Sequence, residues 1–68
     1  MEAEIGHTAG TIWRHLSERG ESSLSKLKRE TDVSDQVLFM ALGWLAREGK
    51  LEIMRDGRTV RLRLRDAA

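Results

Sequence analysis

The chain has no cysteine, no proline and no apolar run long enough to cross a bilayer. Without cysteine, no disulfide can staple the fold and no thiolate can act as nucleophile or metal ligand. Without about 20 consecutive apolar residues there is no candidate transmembrane helix. The opening Met1-Glu2-Ala3-Glu4 is acidic and lacks the basic-then-apolar layout of a secretion signal. The expectation is cytoplasmic residence, with no membrane partner. No linker, low-complexity segment or internal repeat divides the chain, so residues 1–68 are read as a single domain. A chain this short buries only about 60% of the surface its unfolded form exposes, so its core is thin. Good helix packing or oligomerisation is the remaining support for so small a core.

Catalytic chemistry is equally scarce. His7 and His15 pair neither with cysteine nor with a histidine one turn away. Glu4 and His7 can share a helix face, but two ligands do not make a zinc site. There is no glycine-rich phosphate loop, no nucleophile elbow and no convergent carboxylate pair. Ser17, Ser22, Ser23, Ser25 and Ser34 read as caps and surface. The chain is expected to bind rather than catalyse, with no cofactor and no metal.

What is present is a clear change of period. Ile5, Ala9, Ile12, Trp13 and Leu16 recur at helical spacing and predict a helix over about 4–19, stopped by Gly20. Glu21-Ser22-Ser23 is a short connector with room for one extended rung. Ser23 caps a second helix over about 24–31, whose stripe is Leu24, Leu27 and Thr31. Asp32-Val33-Ser34 is a tight turn, and Ser34 caps a third helix over about 35–48 that Gly49 ends. From there the period is two. Leu51 and Ile53, then Val60, Leu62 and Leu64, alternate with polar residues in strands over about 50–55 and 58–65. With Asp56-Gly57 as the two central turn residues, Ile53 pairs with Val60, Leu51 with Leu62, and Glu52 with Arg61. The expected class is α+β, mostly helical: three helices and a C-terminal two-stranded β-hairpin whose Leu/Ile/Val face closes the core.

Several segments resemble a winged helix-turn-helix: Leu24-Ser25-Lys26-Leu27-Lys28-Arg29-Glu30, Val33-Ser34-Asp35-Gln36, and Ala41-Leu42-Gly43-Trp44-Leu45-Ala46-Arg47-Glu48-Gly49-Lys50-Leu51. More narrowly, Ile5-Gly6-His7-Thr8-Ala9-Gly10 and the Ala41–Lys50 stretch resemble a small prokaryotic winged-helix family of unknown function. The resemblance covers nearly the whole chain. It implies a winged-helix fold, with the hairpin as the wing, and a DNA-binding or transcription-regulatory role. It implies no ligand and no catalytic residue.

The net charge of +1 hides an asymmetry. Residues 50–65 carry Lys50, Arg55, Arg58, Arg61, Arg63 and Arg65 against Glu52 and Asp56, a local charge of +4. Residues 1–49 carry a local charge of −2, from six basic and eight acidic side chains. In a winged-helix DNA binder the third helix enters the major groove and the wing touches the backbone. The candidate DNA contacts are therefore Lys26, Ser34, Gln36, Arg47, Arg55, Arg58, Arg61 and Arg63, with Lys28 and Arg29 as further basic groups on the second helix. The competing reading of the wing arginines is a solvated outer face that discourages strand-to-strand association. A pI near 8.3 is modest for a nucleic-acid binder, so contact with double-stranded DNA is expected to be weak and salt-sensitive.

The outward face of the third helix is poor in base-reading groups. Gln36 and Arg47 suit the task, whereas Asp35 repels phosphate and Phe39 and Met40 are apolar. Phe39, Met40, Gly43 and the edge of Trp44 form a candidate protein interface, because exposed apolar patches mark interaction sites. The bland alternative is isolated exposure, or folding under the wing. Gly43 fits a helix only where something comes close, since it costs about 1 kcal/mol relative to alanine. Gly6 and Gly10, with Ser17, make a small-residue strip beside Trp13. It serves either close packing of the wing or chain terminus within one molecule, or a helix contact in a homodimer.

Overall fold

The computed structural model describes residues 1–65. Its elements in chain order are α1 (Glu2–Arg19), β1 (Ser22–Ser23), α2 (Leu24–Thr31), α3 (Asp35–Arg47), β2 (Leu51–Asp56) and β3 (Thr59–Leu64). The punctuation is local chemistry. Gly20, at φ 81°, donates its N–H to the Leu16 carbonyl at 2.8 Å and ends α1. Ser23 Oγ accepts from the Lys26 N–H, and Ser34 Oγ from the Val37 N–H, each at 3.2 Å. These bonds satisfy amides that the first turns of α2 and α3 leave without partners. Asp32, in the left-handed region at φ 51°, makes the sharp bend between those helices. After α3, the Gly49 N–H reaches the Ala46 carbonyl and the Lys50 N–H the Leu45 carbonyl. This 5→2 and 6→1 pair is a Schellman stop, with a glycine in the left-handed position.

The sheet is antiparallel with order β1-β3-β2, so the last strand is central. The extended rung at Ser22–Ser23 pairs with Leu62 and Arg61 and converts the hairpin into three strands. The hairpin register differs from the sequence expectation by two residues. Asp56 pairs with Thr59, Ile53 with Leu62, Leu51 with Leu64 and Glu52 with Arg63. The central turn residues are Gly57 and Arg58 rather than Asp56 and Gly57. Gly57 has φ 62°, whereas Arg58 is not among the positive-φ residues, so the turn needs a glycine only at its first central position. That is the requirement of a type II′ turn, not of the type I′ turn that an Asp-Gly pair suggests. A slip of two residues keeps every side chain on its face, so the alternating pattern does not distinguish the two registers.

One core joins all three helices and the sheet. Ala9, Ile12, Leu16, Leu27, Leu38, Ala41, Leu42, Leu45, Leu51 and Leu62 are buried together, with Ile5, Leu24, Val33, Val60 and Leu64 packed around them. Two expectations are corrected. Trp13 is 47% exposed rather than a core residue, and Thr8 is buried in its stead. Relative to Ile12, Thr8 sits only about 40° around the helix and Trp13 about 100°, so the buried stripe turns toward Thr8. Ile53 is also exposed, although its cross-strand partner Leu62 is buried. It lies on the edge strand, beyond the part of the hairpin that the helices cover.

Two substitutions test this architecture. Leu38→Ala removes a fully buried side chain from α3 and is expected to cost about 2–5 kcal/mol. In so small a domain that leaves little folded protein, read as a shifted urea midpoint or loss of the cooperative transition. Gly57→Ala forces a left-handed alanine at the turn and is expected to cost about 1–2 kcal/mol in the same measurement.

Candidate functional site

The residues predicted to meet DNA fall on three elements. Lys26 and Arg29 are exposed on α2, beside Ser25 and Lys28. Ser25, Lys28 and Arg29 line a shallow depression there. On α3, Gln36 is exposed in the first turn and Arg47 in the last. They lie about 20° apart around the helix, on the side opposite Leu38. Ser34 is exposed, with its oxygen already accepting the capping bond from Val37, which leaves its hydroxyl proton to donate. Asp35, the acid expected to repel a phosphate at this helix start, is paired with Lys28 Nζ at 3.1 Å. That pair cancels one repulsive charge and occupies one of the basic groups of α2.

The wing arginines divide into two sets. On the outer face of the sheet, Arg63 Nε donates to Glu52 Oε1 at 2.6 Å, and Arg61 Nε donates to Glu21 Oε2. The hydrogen bond to Glu52, and then its charge, hold the Arg63 guanidinium above its ordinary value. The expected Glu52–Arg61 pair is replaced by these two, as the two-residue shift of register requires. Arg55 and Arg58 have no acidic partner among the described residues and stand at the free end of the hairpin. Arg55 Nε donates to the Gly57 carbonyl at 3.4 Å, and Arg58 is a central turn residue. Of the four wing arginines, the two left without an acidic partner are thus the ones at its tip.

A second surface is apolar. Trp44 is 58% exposed on α3 and Trp13 47% exposed on α1, and both line one groove of about 260 Å³. Ala9, Gly10, Leu45 and Lys50 complete its lining. Met40, one turn before Trp44, is 42% exposed on the same side of α3. Phe39 is 48% exposed but lies about 140° around the helix from Trp44. The candidate protein interface on α3 is therefore a band whose two ends, Phe39 and Trp44, occupy opposite flanks. Gly6, Gly10 and Gly43 face open space: a Cβ built at each meets nothing within 4 Å. No described part of the molecule packs onto the glycine strip of α1, so close internal packing does not account for it. The groove between α1 and α3 was not legible in the sequence, because Trp13 reads there as core. Its signal was Trp13 standing at the edge of the helical stripe, beside two glycines.

Among the described residues no cluster of three or more potential ligands is placed to hold a metal ion, and no helix is long and apolar enough to cross a membrane. His15 is used locally, with Nδ1 3.3 Å from the Glu30 carboxylate, which also meets Arg19.

The cap on α3 is directly testable. Ser34→Ala removes the bond to Val37 and is expected to lower stability by about 1 kcal/mol, read from the thermal midpoint. An unchanged midpoint would show that this cap does not hold the start of α3.

Comparison with known proteins agrees with the geometry. A family model described as a winged helix-turn-helix domain (DUF2582) matches residues 1–64. An uncharacterized protein of Methanocaldococcus jannaschii is 46% identical over 59 residues, covering 82% of this chain and 83% of its own length.

Proposed function

Since the chain belongs to the winged helix-turn-helix domain family, we propose that it is a non-enzymatic module that binds double-stranded DNA, as a transcription regulator does. Its α3 turns toward the major groove and the tip of the hairpin meets the phosphate backbone. The observation that carries this reading is a group of exposed cations without an acidic partner among the described residues: Lys26 and Arg29 on α2, Arg47 on α3, and Arg55 and Arg58 at the wing tip; Arg14 on α1 and Lys50 before β2 are likewise exposed without such a partner. Arg61 and Arg63 belong to internal ion pairs, and each would have to exchange a carboxylate for a phosphate to take part. Gln36, the one amide on the outward face of α3, is the group suited to a base edge. With Met40 and Gly43 on that face, little of the helix reads sequence, and phosphate contacts dominate.

Binding of this kind is weak and salt-limited. Non-specific dissociation constants fall at about 10⁻⁴–10⁻⁶ M in physiological salt. Four or five phosphate contacts give a slope of about −4 in log K against log salt concentration. The test is an amide NMR titration with a random-sequence duplex at low and then raised salt. Shifts are expected at the hairpin tip and the start of α3, fading as salt rises. Arg55→Glu with Arg58→Glu is expected to remove them, whereas Arg61→Gln with Arg63→Gln weakens binding only slightly. No shifts at low salt would sink the DNA reading. Equal loss from both double variants would move the contact from the tip to the outer face of the sheet.

A further inference from the structure

We propose that Asp35 limits DNA binding at the start of α3: it holds Lys28 as an internal counterion and so withholds a phosphate contact that α2 would otherwise make. This role rests on the DNA reading above and adds to it a residue that restrains affinity rather than one that supplies it.

The pair is made by the bend between two helices. Lys28 on α2 and Asp35 on α3 are seven residues apart, and the left-handed backbone of Asp32 turns the chain between them. Lys28 Nζ then lies 3.1 Å from Asp35 Oδ2. The two side chains are 40% and 61% exposed, so a ligand can meet either. Groups suited to an anion surround them. Lys26 and Arg29 are exposed on α2 without an acidic partner among the described residues, and Ser25, Lys28 and Arg29 line one shallow depression. Ser34 keeps its hydroxyl proton to donate, and Gln36 is exposed next to Asp35. Two further acids lie in this stretch. Glu30 is engaged by His15 and Arg19, and Asp32 pairs with no cation among the described residues. Among the described residues, Asp35 is therefore the acid that occupies a cation of α2.

Two demands oppose each other at this position. Negative charge in the first turn of α3 suits the helix dipole. The same charge repels a phosphate backbone. Salt-dependent binding follows the number of phosphates neutralised, because each one releases condensed counterions. As a unit, the Lys28–Asp35 pair is neutral and neutralises none. An exposed pair is too weak to lock Lys28 in place. Its effect lies in the exchange: a lysine that turns to a phosphate uncovers Asp35 in the same field, and the net gain is small. With position 35 uncharged, the same lysine counts in full, beside Lys26 and Arg29. Asp35 thus favours the helix at the expense of the ligand, and Lys28 is a latent contact.

The test compares Asp35→Asn with Asp32→Asn in the full chain, by fluorescence anisotropy of a labelled random-sequence duplex at low and raised salt. Each substitution removes one negative charge from the helix-turn-helix, and asparagine accepts the left-handed backbone at position 32. Only the first releases a cation. Asp35→Asn is expected to tighten binding by about fivefold or more near ~50 mM salt, and to steepen the salt slope from about −4 to about −5. One added contact makes that gain shrink about 3.5-fold by ~200 mM salt. Asp32→Asn is expected to change affinity by less than about twofold and to leave the slope alone. By NMR, the Lys28 Cε–Hε signal should move on adding duplex to Asp35→Asn and stay in place in the wild type. Lys28→Gln in the Asp35→Asn background should return the slope to about −4. A wild-type chain that binds duplex, with Asp35→Asn within about twofold of it, overturns the proposal and leaves the DNA reading standing. Equal gains from the two asparagine variants overturn it as well, because the effect is then one of net charge. A duplex that neither the wild type nor Asp35→Asn binds at low salt overturns the DNA reading and this role together.

Discussion

Everything in this molecule depends on four side chains meeting. Ile12, Leu27, Leu38 and Leu62 are the large residues with almost no exposure, and each comes from a different element: α1, α2, α3 and β3. With no disulfide and no metal cluster among the described residues, that meeting is what holds the helices to the sheet. It also decides what is left outside. Once Leu38 points inward, Gln36 and Arg47 point outward. Once Ile12 is central, Trp13 stands at the margin, because adjacent helix residues diverge by about 100°. Leu62 lies on the central strand and fixes the hairpin to the helices, while Ile53, its partner on the edge strand, projects past them.

The same architecture redistributes charge. By sequence the final third is a strongly basic run. In space, Glu21, from the connector before α2, reaches Arg61 across forty residues, and Glu52 holds Arg63 on the adjacent strand. Glu52 belongs to the hairpin, whereas Glu21 reaches the sheet because β1 has joined it, so the third strand adds the second of these pairs as well as backbone bonds, and together they engage two of the hairpin's four arginines. Exposed pairs of this kind add little stability, with a median of about 0–1 kcal/mol. Their consequence is positional: they quiet the outer face of the sheet and leave Arg55 and Arg58 as the electrostatically active end. A count of charges along the chain cannot show this, because Glu21 belongs to a different stretch of sequence.

What was legible in the sequence follows the range of the forces involved. The helix ends were readable because Gly20, Gly49, Ser23 and Ser34 act on amides and carbonyls within a few residues. The extended rung at Ser22–Ser23 was readable as backbone, though not its pairing with β3. The hairpin register is open by two residues in the sequence because alternation constrains only parity, and Asp56-Gly57 admits a glycine at either central position of the turn. Trp13 reads as core by its hydrophobicity, whereas by angle Thr8, with its smaller and partly polar side chain, lies closer to the buried direction. The candidate DNA residues were visible by type and place on their elements. Their division into paired and unpaired arginines was not, since it depends on the strand register and on a contact forty residues long.

The helix glycines sharpen the contrast between the two surfaces. Gly6, Gly10 and Gly43 each stand in a helix interior, where glycine costs about 1 kcal/mol against alanine. Had close packing within the molecule demanded them, a Cβ at each would meet a neighbour, and none does. A domain with so thin a core carries that combined cost at three exposed positions, where alanine would fit without a clash. For Gly6 and Gly10 the cost lies on the flank of α1 that also exposes Trp13, so the weakest helical residues and the largest apolar side chain share one face. Gly43 stands apart, between Phe39 and Arg47 on the outward side of α3, and nothing in the structure explains it. The surface proposed to meet DNA is defined by charges the fold leaves unpaired, and the face shared by Trp13 and Trp44 by side chains the core is too small to cover.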